Sequence, residues 1–232
     1  MKGFFENLGF FATRFSQAIV ITIEVSIISL AAATIIGIIV GLVNTSKSKS
    51  VIMKVLKVIA NLYINIIRGT PMLVQILIIY FGLGQMLRPT GFNWLNIGGT
   101  FTAGTVALSL NAGAYMAEIV RGGIEAVDKG QIEAARSLGL TYGKTMKKIV
   151  LPQALRTMLP SIINQFIISI KDTSLLSVIG LAELTNVGKT IAATQSAHMM
   201  VIYCFMACYY LFICTLLAQV SKVIEKRLSY GK

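Results

Sequence analysis

Five stretches of this chain are apolar over lengths that approach or exceed what a helix needs to cross a bilayer, and that leaves few folds open. They fall at about 16–43, 71–88, 101–119, 157–178 and 198–221. A crossing helix takes roughly 17 to 25 mostly apolar residues. Inside lipid each backbone N–H and C=O must be paired within its own segment, so helices are expected throughout. The composition agrees: 55% of residues are hydrophobic and 13% charged, against roughly 25% charged in soluble domains. The expected fold is therefore all-α: a polytopic membrane protein with about five transmembrane helices, in one domain covering 1–232. The first span, with Arg14 at its flank and Glu24 inside it, is too long for a cleaved signal peptide.

The net charge of +12 raises the question of a polyanionic partner, but its distribution answers it. Lys47, Lys49, Lys54 and Lys57 follow the first span; Arg121, Lys129, Arg136, Lys144, Lys147, Lys148 and Arg156 lie between the third and fourth; Lys222, Lys226, Arg227 and Lys232 end the chain. The opposite loops carry Arg88 and Lys189. By the positive-inside rule the basic loops face the cytoplasm. The N-terminus is then expected outside and the C-terminus inside. No nucleic-acid partner is needed, and membrane lipid is the expected surrounding.

Polar residues inside the spans are the candidates for function. Glu24 sits in the first span, where a lipid-exposed carboxylate costs a few kcal/mol; it faces protein or water, or lies at the outer interface. Asn111 and, one turn on, Tyr115 share a face of the third span; Asn164 and Gln165 lie in the fourth. Lys171-Asp172 follows in the same span, where either the helix unwinds or each charge finds its own partner. Ala33, Gly37 and Gly41 form a small-residue face in the first span that lets helix backbones approach. Residues 51–68 carry Lys54, Lys57, Asn61, Asn65 and Arg68 at intervals of three or four, an amphipathic pattern. That helix lies on the cytoplasmic surface or forms a polar seam in the bundle. Gly69 and Pro71 break it, and Pro71 starts the next crossing.

Other signals carry less. Gly188-Lys189-Thr190 resembles the end of a phosphate-binding loop, but position 183 is Glu where Gly is required, so no ATP site is expected. Cys204, Cys208 and Cys214 lie in the last span without metal-ligand pairing. Neither a metal site nor a catalytic group is expected. His198 reads as an interfacial structural residue.

The polar segment at 133–152 runs Glu133-Ala134-Ala135-Arg136-Ser137-Leu138-Gly139, then nine residues, then Ile149-Val150-Leu151-Pro152. Good helix formers followed by Gly139 predict a short helix and its C-terminal stop. Thr141 is placed to cap a second helix whose lysines, Lys144, Lys147 and Lys148, approach its C-terminus. Paired alanines keep the first helix slim enough to enter a groove on a partner.

This pattern resembles the coupling loop of permease subunits of ABC importers. Arg68-Gly69-Thr70-Pro71, Leu110-Asn111-Ala112-Gly113-Ala114-Tyr115, Glu118-Ile119-Val120-Arg121-Gly122-Gly123-Ile124, Lys171-Asp172-Thr173-Ser174-Leu175 and Ile179-Gly180-Leu181-Ala182-Glu183-Leu184 narrow the resemblance to importers of polar amino acids, of the histidine, glutamine and arginine type. It implies a type I permease, possibly paired as a homodimer, with two copies of an ABC ATPase on the cytoplasmic side and an extracytoplasmic amino-acid-binding protein. ATP and magnesium would be held by the ATPase, and this chain would bind no cofactor. Glu133, Ala134, Ala135, Arg136 and Gly139, within a loop spanning about 120–156, would form the ATPase-coupling element. Glu24, Asn111, Tyr115, Asn164, Gln165 and Asp172 would line the substrate pathway, whose carboxylates favour basic amino acids. The alternative is an ion-coupled secondary amino-acid transporter built on the intramembrane acids Glu24 and Asp172. No internal repeat supports it, and it leaves the polar loop unexplained.

Overall fold

The computed structural model describes residues 8–229; Lys232, counted above with the basic C-terminal run, lies outside them. Helix α1 spans Leu8–Thr45. Its buried positions, Phe11, Phe15, Ala18, Thr22, Val25, Ser29 and Ala33, recur every three or four residues, the helical period of one face. From Val25 onward that face lies along α4, Gly99–Glu125, while Phe11 and Phe15 pack on Leu184 and Ile202. The two helices approach so closely that a Cβ on Gly37 would stand 2.5 Å from the Met116 Cβ, and one on Gly41 would stand 2.7 Å from the Val120 Cβ. Matching levels rise together along both chains, 37 with 116 and 41 with 120, so α1 and α4 run parallel. Ser29 also donates to the Thr105 carbonyl across the seam, at 3.2 Å.

Between them the chain makes α2, Val51–Gly69, and α3, Met72–Met86, whose axes bend by 110° at the break. Thr70 and Pro71 are extended there, as a residue before proline and a helix-starting proline require. Residues 51–68 prove to be a polar seam as much as a surface helix. Lys57 donates to the Ser46 carbonyl, Asn61 accepts from Asn44 at 3.1 Å, and the Tyr63 hydroxyl donates to the Leu110 carbonyl at 2.6 Å. The aliphatic side, including Val51, Val58 and Leu62, is left exposed.

The second half repeats the theme of long helices with local defects. A nine-residue helix α5, Lys129–Ser137, leads to α6, Tyr142–Ile179. A π-turn at Met146–Val150 interrupts α6; the wider turn immediately precedes Pro152, which has no N–H to give. Two corrections follow. The helix carrying Lys144, Lys147 and Lys148 does not end near them, so they face no helix C-terminus. And with α4 running to Glu125, the segment between the two long helices shrinks from 120–156 to 126–141. At its far end α6 tightens into a 3-10 turn, Thr173–Ile179, so the chain at Lys171-Asp172 winds more tightly instead of unwinding. A short α7, Leu184–Thr194, and the long α8, Met199–Ser229, complete the fold.

All five expected spans lie in helices, but they are not five equal crossings. α1, α6 and α8 are each long and apolar enough to cross alone, and the bent pair α2 and α3 makes a fourth if counted together. α3 by itself is only about 22 Å at 1.5 Å per residue, short of the ~30 Å hydrocarbon core. α4 is long enough but dilutes its hydropathy with Gly, Ala, Thr and Asn. Those small residues are what its central position requires, since 15 of its positions are buried. Three apolar clusters fill the bundle: Val25, Ile76, Leu108 and Leu176 in one, Phe11, Phe15, Leu184 and Ile202 in the next, Val120, Val150, Ala154 and Met158 in the third.

Candidate functional site: a charged groove and an exposed hairpin

The break between α2 and α3 leaves carbonyls without helical partners, and one side chain repairs it. Gln75 directs its amide nitrogen at the Ile67 carbonyl (2.7 Å), the Thr70 carbonyl (3.0 Å) and the Thr70 hydroxyl (2.9 Å). Its amide oxygen accepts from Asn111 at 2.9 Å. Both side chains are buried, so Asn111 spends its polarity holding the break in place. The sequence marked Asn111 as a polar residue inside a span and Pro71 as a break, but not that the two features meet, because Gln75 stands 36 residues from Asn111.

The same break sets Arg68, in the last turn of α2, over the Tyr115 ring, 5.5 Å from its centroid. Its guanidinium pairs with Glu118 at 3.1 Å. Arg121 approaches the same carboxylate at 3.0 Å and reaches on to Glu125 at 2.7 Å. One carboxylate thus joins two arginines from two helices. These groups are partly exposed, so their value lies in placement more than in stability. Arg68, Tyr115 and Glu118 line a groove of about 700 Å³ together with Asn164 and Gln165 of α6 and Lys222 and Glu225 of α8. Pro160, inside α6, lines it too; an internal proline removes a helical hydrogen bond and bends the helix. The ionised side chains on the wall balance, Arg68 and Lys222 against Glu118 and Glu225.

Of the six residues expected along a pathway, the groove gathers Tyr115, Asn164 and Gln165. It does not include the other three. Glu24 lies on the exposed face of α1 with Val20, Ile27 and Ile28, the face turned away from α4. Asp172 is on the Gln165 side of α6 but seven residues further along, about 10 Å by helix rise. Asn111 is buried under Gln75. Sequence reasoning missed Arg68 and Glu118 as a pair, although the three-residue step from Tyr115 to Glu118 and the polar stripe ending at Arg68 both pointed to them.

The hairpin at 128–141 is built by its caps. Asp128 accepts from the Gly130 N–H at 2.8 Å and starts α5. Gly139 ends it with φ at 81°, where the Leu140 N–H reaches back to the Ala135 carbonyl and the Gly139 N–H to Arg136, a Schellman closure. Arg136 adds a 2.7 Å bond to the Leu140 carbonyl. Thr141 occupies the cap position of α6 but its side chain makes no capping bond. The two alanines differ: Ala135 is 3% exposed and turned inward, while Glu133, Ala134 and Arg136 are exposed. The slimming effect expected of both belongs to Ala134 alone. Leu138 stands 83% exposed at the tip, a feature that the sequence pattern did not single out.

Opposite this end, Glu183 is fully buried and caps α7, accepting from Thr185 and Asn186 N–H at 2.8 and 2.7 Å and from the Tyr210 hydroxyl at 3.0 Å. Burial pushes its carboxyl above the usual carboxylate range, against the opposing pull of those donors. Among the described residues no cluster of His, Cys, Asp or Glu is arranged to hold a metal.

A family model described as the binding-protein-dependent transport system inner membrane component matches residues 33–230. The glutamine transport system permease protein of Escherichia coli (strain K12) is 41% identical over 207 residues, 89% of each chain. The arginine transport system permease protein of Bacillus subtilis (strain 168) is 36% identical over 212 residues, 91% of each. A solved crystal structure of an amino acid ABC transporter with histidines superposes with a TM-score of 0.84 at 34% identity, covering 96% of this chain and 98% of that one.

Proposed function

The chain belongs to the family of binding-protein-dependent transport system inner membrane components, and we propose that its charged groove is the part of the permease that receives a zwitterionic polar amino acid. As a family member it is the multi-pass, membrane-embedded permease of an ABC importer. ATP hydrolysis belongs to a separate ATPase subunit, and an extracytoplasmic binding protein brings the substrate. This membership takes the place of the ion-coupled alternative, whose two acids, Glu24 and Asp172, both lie off the groove.

The observation that carries the reading is the charge balance of the groove wall. An amino acid brings an ammonium and a carboxylate on one carbon, and Glu118 beside Arg68 offers one charge to each. The relatives carry glutamine and arginine by name, which fits a site that reads the shared backbone groups. A preference for basic side chains would rest on carboxylates beyond this balance; Glu24 and Asp172, which suggested it, stand elsewhere. Replacing Glu118 by Gln leaves Arg68 and Arg121 without their common partner. Because the groups are partly exposed, stability should change by less than about 1 kcal/mol. The KM for uptake should rise about tenfold or more, and unchanged uptake kinetics would remove Glu118 from the site.

The hairpin is the second part of the proposal. Glu133, Ala134, Arg136 and the bare Leu138 present a small convex tip, held by Gly139, that fits a groove on the ATPase; Ala135 anchors it from below. ATP and magnesium stay on that partner. Two copies of this chain would pair, each with its own ATPase, so that movement of the hairpins opens the groove to alternate sides. Gly139→Glu places a β-carbon at a left-handed position and a charge beside the tip. Co-purification with the ATPase should fall about tenfold or more, while the amount of membrane-inserted permease stays the same. Full retention of the ATPase with normal coupled hydrolysis would refute the docking role.

Orientation is the third part. The basic end, with Lys47, Lys57, Lys129 and the hairpin, is assigned to the cytoplasm, the N-terminus to the outside and the C-terminus to the inside. With Cys204, Cys208 and Cys214 replaced by serine, single cysteines at Lys54 and Asn61 should react with a membrane-impermeant thiol reagent only from the cytoplasmic face. Reaction in intact cells from outside would invert the assignment.

A further inference from the structure

A second cavity, of about 670 Å³, lies between the end of α1, the side of α2 and the hairpin. Its wall carries Lys47, Lys57 and Lys129, with Tyr142 offering a hydroxyl, over a floor that includes Val127 and Val150. Two carboxylates share the wall. Glu125 is already engaged by Arg121, and Glu133 stands on the exposed side of α5. Among the described residues no carboxylate lies within ion-pair distance of the three lysines. Lys57 gives one N–H to the Ser46 carbonyl, which fixes its ammonium at the mouth and leaves its other hydrogens free.

What surrounds the mouth indicates the ligand. From 43 to 68 the chain holds Lys47, Lys49, Lys54, Lys57 and Arg68 and no Asp or Glu. Beside Lys57, Val51, Val55 and Val58 are 74%, 53% and 67% exposed, an aliphatic ridge with no covering element. A cationic hollow opening beside exposed aliphatic surface, at the end of a membrane helix, matches a molecule with an anionic head and long apolar tails. Basic pockets in such positions bind acidic headgroups, and lysines near the surface each add to the attraction.

We propose that this cavity holds the phosphate headgroup of an anionic phospholipid, clamped by Lys47, Lys57 and Lys129, with its acyl chains along the aliphatic side of α2. The bound lipid bridges the α1–α2 connection and α5, so it buttresses the base of the hairpin. This assignment rests on the proposed membrane placement of the basic end. A nanodisc presents the same lipid on both faces, however, so a reversed orientation would leave its test unchanged and would appear only in the thiol labelling.

The test uses the permease purified with its ATPase from nanodiscs of phosphatidylcholine containing a minor share of phosphatidylglycerol, with retained lipid counted by native mass spectrometry. The wild-type complex should keep phosphatidylglycerol. The pair K47Q and K57Q should keep about tenfold less. The pair K49Q and K54Q, which removes equal charge from the same segment but off the cavity, should keep as much as wild type. If the first pair fails to assemble, K47R and K57R should assemble and retain the lipid. Equal losses in both Gln pairs would mean diffuse attraction to the surface and overturn the site. So would the absence of retained phosphatidylglycerol in wild type, the outcome expected if a second copy of the chain covers this side of α2. In nanodiscs of phosphatidylcholine alone, calorimetry with glycerol 3-phosphate should detect no binding; tight binding of that soluble phosphate would overturn the lipid as the ligand.

Discussion

The close parallel approach of α1 and α4 is the contact on which the other arrangements depend. Lipid tails are as apolar as leucine, so helices in a bilayer gain little from hydrophobicity and associate by fit. Gly37 and Gly41 let the backbone of α1 meet Met116 and Val120 with no space for a side chain. α4 answers with Ala107, Ala114 and Ala117, all 1% exposed or less. With that seam closed, α4 becomes the post against which the bent pair α2 and α3, the crossing part of α6 and the hairpin are placed.

Two polar arrangements then use the post. Gln75 and Asn111 hold the break that turns α2 away from α3, and the turn brings Arg68 from α2 onto Tyr115 and Glu118 of α4. The groove is thus a consequence of the break, and the break is affordable only because an amide fills the gaps in the backbone. On another face of the same stretch of α4, Val120 and Ile124 pack on Val150 and Ala154 to seat the hairpin. Groove and hairpin are consequently attached to one rigid element, a geometry suited to passing movement between them.

Much of this was legible in the sequence where the signal was local. Long apolar runs found the helices, Gly139 found the hairpin closure, and Pro71 found the break. The small residues of α1 announced a close approach, though not to which helix. What stayed hidden depended on distant partners. Hydropathy rated α4 as an ordinary span, yet its dilution with Gly and Ala is what makes it central. The polar stripe of α2 left a surface helix and a polar seam both open, and what makes it a seam is partners on other segments: Ser46 for Lys57, Asn44 for Asn61 and Leu110 for Tyr63. Glu24 looked functional because it was an acid inside a span, but helical phase turns it away from the groove.

The central claim is that transport through this chain is driven from the hairpin by an ATPase. Proteoliposomes containing the permease and its ATPase, with the binding protein and labelled amino acid on one side and ATP on the hairpin side, put it to the test once ionophores have collapsed every ion gradient. The account predicts accumulation of the amino acid for as long as ATP lasts and none without it. Uptake that persists without ATP and disappears with the ionophores would contradict it.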